Sequence, residues 1–274
     1  MSQPFSPEKI QPEVERITRL VGEYARREFK SFSSNDIEYK GKRDLFSYVD
    51  VTCEVMIKEE LSRLIPGAGF INEEGENQAS QNDYTWLIDP IDGTTNFIHG
   101  IPFFSISIAL EYDSEIILGY VYDVMTDELF SAAKGKGATL NGERIHVSET
   151  EKLQEALLAT GFPYDNSPWL EAFLQLLIKI MQQSHGLRRF GSAAIDLSYV
   201  ACGRLEGFFE FGLSPWDVAA GTLIVQEAGG KVTDIKGGDN FIFGKQMVAS
   251  NGHIHDDMLA IMKADVDKMR HFPQ

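Results

Sequence analysis

Two cysteines, Cys53 and Cys202, form neither a C-x-x-C pair nor a disulfide framework. No run of about 18 apolar residues occurs, so a helix spanning a bilayer is excluded. The stretch from Met1 to Gln11 lacks the apolar core of a secretory signal. Repeats, low-complexity tracts and Pro/Gly/Ser-rich linkers are missing too. These absences fit a protein of the reducing cytoplasm with no membrane contact. Basic residues are scarce: 25 Lys and Arg against 41 Asp and Glu leave a net charge of −16. Such an acidic field repels polyphosphates, which argues against nucleic acid as a partner.

What is present is an ordinary globular composition in a 274-residue chain, long enough for one large domain or two lobes sharing a core. Spacings of three and four among Ile10, Val14, Ile17, Val21 and Tyr24 predict a helix over 12–29. A second is predicted over 51–64, with Val55, Leu61 and Leu64 inward, Asp50 at its start and Pro66-Gly67 as its stop. Strand patterns follow: a short run from Tyr84 ending at Asp89, an alternating run over 104–110, then 116–122 and 128–132. Tight turns at Gly135-Lys136-Gly137 and Asn141-Gly142 separate the later ones. The first half therefore reads as a largely antiparallel sheet.

Near Ser148 the pattern changes. Ser148-Glu149-Thr150-Glu151 resembles a capping box. Beyond it, strand signals at 156–160 and 207–210 alternate with helix signals at 169–183 and 193–201. A further helix is expected after Ser214, with Pro215 as its first residue and Gly229 just past its end. Alternation of this kind points to an α/β lobe. The chain is accordingly divided into an N-terminal lobe, 1–147, and a C-terminal lobe, 148–274.

The chemistry concentrates at Asp89-Pro90-Ile91-Asp92-Gly93-Thr94-Thr95. Pro90 rules out a regular helix or a ladder hydrogen bond there, so the two aspartates sit in a stiff turn after a strand. That turn can aim both carboxylates and the Ile91 carbonyl at one point, a ligand set suited to Mg²⁺. Gly93, Thr94 and Thr95 could offer backbone N–H groups to a phosphate if a helix starts there. An ordinary Asx-turn without a ligand fits the same residues. Two more acidic features stand apart in sequence. Glu73-Glu74-Gly75-Glu76 reads equally as a solvated loop. Pro215-Trp216-Asp217 reads equally as a helix start whose acid faces the dipole. The acidic balance would suit a phosphate ester badly unless some of these carboxylates hold cations.

In order and spacing, Glu73, the segment from Asp89 to Phe97 and Trp216-Asp217-Val218-Ala219-Ala220-Gly221 resemble the inositol monophosphatase family. The likeness runs from Asp44 to Asn251. It includes Arg189-Phe190-Gly191-Ser192-Ala193-Ala194, the segment 203–210 and Glu227-Ala228-Gly229-Gly230. It implies an α/β fold, the layered αβαβα sandwich of the inositol monophosphatase and fructose-1,6-bisphosphatase type. It also implies a Mg²⁺-dependent phosphomonoesterase with two to three Mg²⁺ ions per subunit. By that resemblance Glu73, Asp89 and the Ile91 carbonyl hold a first ion. Asp89, Asp92 and Asp217 hold a second, and Glu73 serves again at a weaker third. Asp50 and Thr94 orient the attacking water, Gly93 and Thr94 cradle the phosphate, and Glu210 binds a substrate hydroxyl in a pocket lined by Ala193. No phospho-enzyme is expected. A homodimer and lithium sensitivity are implied as well.

The pattern departs from the family in two places. Asp44-Leu45-Phe46-Ser47 carries a bulky Phe46 where valine is usual, and Gly161 to Asp165 supplies no serine to the substrate pocket. The reading is a hydrolase of inositol monophosphate or a related small polyol phosphate. The alternatives are a phosphatase of 3′-phosphoadenosine phosphate or fructose 1,6-bisphosphate, and a binding or regulatory member. The histidine pair His253-Ile254-His255 reads as the start of the last helix, and the stripe Leu174, Leu177, Ile178, Met181 as core. Trp86 and Trp216 read as packing beside the site. Cys53 reads as inert, its pKa somewhat lowered by a helix N-terminus.

Overall fold

The computed structural model describes residues 9–31, 37–39, 45–163 and 170–266. Expectations that fall on Asp44, Tyr164, Asp165 and Trp169 lie outside the described residues. Helices α1 (Gln11–Ser31) and α2 (Tyr48–Leu64) flank the small antiparallel pair β1 (Ile37–Tyr39) and β2 (Leu45–Ser47). Among the described residues a sheet of seven strands follows in chain order: β3 (Gly69–Asn72), β4 (Tyr84–Asp92), β5 (Ser105–Tyr112), β6 (Glu115–Asp123), β7 (Glu128–Ala133), β8 (Gly137–Leu140) and β9 (Glu143–Arg144). All its pairings are antiparallel except β3 with β4. The short helix α3 (Thr94–Ile98) interrupts it after β4.

The second sheet has the order β11-β10-β12-β14-β13. Its strands are β10 (Leu157–Thr160), β11 (Gly186–Arg188), β12 (Gly207–Phe211), β13 (Lys231–Thr233) and β14 (Gln246–Ser250), with helices α4 (Leu170–Gln183), α5 (Ala193–Ala201), α6 (Pro215–Glu227) and α7 (His255–Val266). Three apolar clusters define the stacking. The first joins α1 and α2 to one face of the large sheet through Val14, Ile17, Ile57, Ile106 and Ile108. The second joins the other face to α5 and α6, and these to the second sheet, through Ala109, Val121, Leu197, Ala220, Phe208 and Ala249. The third covers the far side of that sheet with α4 and α7. The order is helix, sheet, helix, sheet, helix, the αβαβα sandwich that the resemblance implies.

Alternation in β5 does not separate core from solvent, because Ser105 to Leu110 are all buried. It separates large side chains facing α1 and α2 from small ones facing α6. The small face lets α6 lie close: Ser107 donates its hydroxyl to the Trp216 carbonyl at 3.0 Å. A Cβ on Gly119 would come within 2.7 Å of the Ala220 carbonyl oxygen and 3.0 Å of its Cα. Any side chain there would lift the helix from the sheet.

Several local expectations are corrected. β4 runs on through Pro90 to Asp92 instead of ending at Asp89. Its register against β5 shifts between Asp89 and Asp92, a bulge that absorbs the missing proline N–H. The inward row of α2 is Val49, Cys53, Ile57 and Leu61, while Val55 is exposed, because it falls midway between Cys53 and Ile57, two positions from either, and so on the opposite face. Ser148 caps no helix. Asn251 donates its side-chain amide to the Ser148 hydroxyl and the Thr150 carbonyl, and the first helical turn is a 3₁₀ turn over Leu153–Glu155. On α4 the buried side chains are Phe173, Leu176 and Ile180, whereas Leu174, Ile178 and Met181 are exposed. No described helix is long and apolar enough to cross a membrane.

Candidate active site

Three helices, α2, α5 and α6, begin with a serine N-cap beside the end of β4. Ser47, Ser192 and Ser214 hold those positions, and α2 and α6 share one device, serine followed three residues later by aspartate. In α2 the Ser47 N–H and hydroxyl donate to Asp50 Oδ2 at 2.8 and 2.6 Å. In α6 the Ser214 N–H donates to Asp217 Oδ2 at 2.8 Å. Each cap ties down one carboxylate oxygen and fixes the direction of the other. In α5 the Ser192 hydroxyl and the Ala194 N–H both donate to Asp92 Oδ2, at 2.6 and 2.7 Å, so Asp92 reaches from the large sheet to the helix start. The positive ends of three helix dipoles thus meet at one place and partly offset the acids gathered there.

Asp89 and Asp92 stand on the bulged end of β4. Asp89 Oδ1 accepts the Ile91 N–H at 3.0 Å, so the Asx-turn is real and coexists with the carboxylate cluster. Gly93 has φ +99°, a left-handed conformation that starts α3. The Thr94 hydroxyl lies 3.1 Å from Asp50 Oδ1 and 2.9 Å from the Ile91 carbonyl, so its single hydrogen is shared between two acceptors. Glu73 follows β3, the parallel neighbour of β4, which brings it beside Asp89. Glu210 comes from β12 and Ala193 opens α5, its N–H directed at Asp92.

Asp50, Glu73, Thr94, Asp89, Ile91, Asp92, Gly93, Ala193, Glu210 and Asp217 therefore converge at one end of the large sheet. Burial, then mutual repulsion, drives the carboxyl groups upward. Glu73 is raised by burial and by Asp217, Glu74 and Asp50, and Asp89 by burial and by Glu73, Asp92 and Asp217. Asp92 is pushed up to about 6 by burial, even though Ser192, Ala194 and Ala193 donate to it. Burial and Asp92 push Asp217 up to about 7; burial, Asp217 and Asp92 push Glu210 up to about 8. Asp50 is raised by burial against the opposing bonds from Ser47 and Thr94.

Buried carboxylates at such spacing require protons or cations to offset them. Their chemistry fits a hard divalent ion, because the donors are all oxygens and Glu73 Oε2 is buried with no hydrogen-bond partner. The carboxyls meet in pairs, Glu73 with Asp89 and Asp89 with Asp217. Among the described residues no three of them already close on a single point. Closing three on one point costs repulsion that an arriving cation offsets.

Four further residues escaped the sequence reading. Ser192 sits within Arg189-Phe190-Gly191-Ser192-Ala193-Ala194 and is of a residue type that caps helix starts. Asp196 is fully buried beneath Glu210 and Asp92, raised well above the carboxylate range by burial, with Oδ1 unpartnered. The Asn96 amide donates to the Phe103 and Phe190 carbonyls at 2.8 Å each, pinning α3 to the segment before α5. Glu54 lies one turn beyond Asp50. Cys53 is corrected: burial pushes its thiol upward, because the Cys53 side chain points into the core rather than toward the helix start.

Five stacked layers with a buried carboxylate centre at the end of the first sheet define an α/β sandwich built around an oxygen-donor site. The inositol monophosphatase family pattern matches residues 7–266, and the chain belongs to that family. It is 40% identical over 252 residues to the Nus factor SuhB of Escherichia coli, covering 92% of this chain and 94% of that one. It is 41% identical over 242 residues to an inositol-1-monophosphatase of Caulobacter vibrioides, covering 87% and 94%. The structure of the extragenic suppressor protein suhB of Bartonella henselae superposes with a TM-score of 0.88 at 41% identity, covering 92% and 97%.

Proposed function

We propose that the chain is a Mg²⁺-dependent phosphomonoesterase that hydrolyses inositol monophosphate, or a closely related polyol phosphate, by direct attack of water. The observation that carries this is the convergence of Asp50, Glu73, Asp89, Asp92 and Asp217, from four separated segments, into one buried group beside three helix N-termini. Family membership supports a phosphatase. In this reading Glu73, Asp89, the Ile91 carbonyl, Asp92 and Asp217 would hold two to three Mg²⁺ ions. When bound, Mg²⁺ supplies positive charge to the phosphoryl oxygens and makes nearby water easier to deprotonate.

The remaining work falls to the chain's own groups. Thr94 Oγ1 commits its hydrogen to Asp50 or Ile91 and keeps lone pairs with which to accept a hydrogen from water. A proton leaving that water passes to Thr94 Oγ1 as the Thr94 hydrogen moves to Asp50 Oδ1. Burial raises the proton affinity of Asp50, and Ser47 holds its other oxygen still. Gly93 and Thr94 direct backbone N–H groups at the phosphate. Glu210, pushed up to about 8, is a carboxyl that can donate as well as accept a hydrogen bond to a substrate hydroxyl, with Ala193 beside it. A homodimer in the cytoplasm, lithium inhibition and the two-lobe division at residue 148 belong to the same reading.

The test is phosphate release from inositol 1-phosphate, 3′-phosphoadenosine 5′-phosphate and fructose 1,6-bisphosphate during a Mg²⁺ titration. Preference for the first supports the proposal; preference for either of the others transfers the assignment to that substrate. Covalent phosphate recovered on the protein would sink the direct attack of water. The Nus factor name of the Escherichia coli relative favours a second reading, a binding or regulatory role. Absence of turnover on all three at millimolar Mg²⁺ would select it.

A further inference from the structure

Glu54 stands one helical turn beyond Asp50 on α2 and is only 4% exposed, yet it reaches neither the Asp50–Thr94 pair nor the phosphate turn. Its partners lie elsewhere. Glu54 Oε1 accepts the Asn72 side-chain amide at 2.9 Å, and Oε2 accepts the Glu74 backbone N–H at 2.8 Å. These two residues flank Glu73 on either side. Lys58, a turn further along the same row, donates to Asn72 Oδ1 at 3.2 Å and lies 3.8 Å from Glu54 Oε1. The loop wraps the carboxylate so closely that a Cβ on Gly75 would stand 2.5 Å from Glu54 Oε1.

A half-buried loop N–H such as that of Glu74 can be satisfied by water, so stability alone does not call for a buried charged acceptor there. Fixing the backbone on both sides of one residue does call for it. A two-oxygen acceptor on a rigid helix restrains a loop side chain in the way outer-shell partners restrain metal ligands.

We propose that Glu54 is a positioning residue for Glu73, holding its carboxylate toward Asp89 and Asp217 so that less rearrangement is left for an arriving cation to drive. This rests on reading Glu73 as a cation ligand. The measurement is calorimetric Mg²⁺ binding to the substrate-free protein, with melting in EDTA and kcat at saturating Mg²⁺ measured alongside. Glu54→Gln leaves one acceptor oxygen where two are used. It should weaken Mg²⁺ binding by about tenfold or more, with kcat at saturating Mg²⁺ close to wild type. Gly75→Ala presses on the same carboxylate from the exposed loop and should shift affinity in the same direction even if Glu54→Gln fails to fold. Wild-type Mg²⁺ affinity in Gly75→Ala, or in a folded Glu54→Gln, overturns the assignment. So does a Glu54→Gln whose kcat falls along with its melting point at unchanged affinity. If the wild-type protein itself binds no Mg²⁺, the reading of Glu73 as a ligand fails first and this proposal with it.

Discussion

The Ser192 hydroxyl donates to Asp92 Oδ2 at 2.6 Å across 100 residues of sequence. The same serine caps α5 by accepting the Ile195 N–H at 3.3 Å. One side chain thus fixes a helix start and a carboxylate of the site together. Ser192→Ala should cost about 1 kcal/mol in denaturant unfolding, as loss of an N-cap does. It should also raise the Mg²⁺ concentration needed for half-maximal phosphatase activity. A variant with the stability loss but unchanged Mg²⁺ dependence would show that the bond to Asp92 serves the helix alone.

Asp89 interacts with Glu73, Asp92 and Asp217 together, so it links the acid after β3 to the acid of α6. Asp89→Asn should reduce turnover by more than the roughly 10- to 100-fold typical of an outer partner. It should also raise the melting temperature in EDTA, because an acid whose ionisation is opposed by burial and by three neighbouring acids is replaced by a neutral amide. Near-wild-type turnover in this variant would refute the site assignment.

The raised carboxyls give a pH dependence of defined sign. Asp92, Asp217 and Glu210, at about 6, 7 and 8, hold protons in the native state that the unfolded chain has already released. Stability of the cation-free protein must then fall as pH rises through that range. His255 acts oppositely: burial lowers it to about 4 from 6.5, so its contribution is present above pH 6.5 and is lost on acidification. The separable window is therefore pH 6.5 to 8. Melting temperature in EDTA should decline across it, and saturating Mg²⁺ should flatten that decline. A rise in EDTA would contradict the repulsion argument.

Two faces of α4 should respond differently. Replacing exposed Leu174, Ile178 or Met181 singly by Gln should change unfolding free energy by no more than about 0.5 kcal/mol. Buried Ile180→Ala should cost about 2–5 kcal/mol.

Apolar periodicity announced α1 and the meander from β5 to β7, and the Ser214 cap, Pro215 and the Gly229 stop announced α6, because local spacing and capping chemistry determine them. The motif residues were legible as a set through their order along the chain. What spacing could not convey was which apolar residues face solvent. Leu174, Ile178 and Met181 have the same periodicity as a buried stripe, and only packing against α7 and the second sheet selects Phe173, Leu176 and Ile180 instead. Glu54 was likewise illegible, since its partners Asn72 and Glu74 come near only when β3 docks beside α2. In β4, Pro90 read as a strand end, whereas a bulge keeps the pairing going.

Helix α6 leaves an imprint on synthesis as well as on the finished molecule. It is the late-made element that fits the Ser107, Ala109 and Gly119 face of the large sheet and delivers Asp217 beside Asp89. A nascent chain that has emerged only through β9 has all of that sheet but nothing to cover its small-residue face. Two thirds of the acids are in place by then, and the last arrives more than 120 residues after Asp92. In the proposed reading the second ion, which needs Asp217, is captured only by a chain that has completed these long-range contacts, so its uptake would time the final stage of folding.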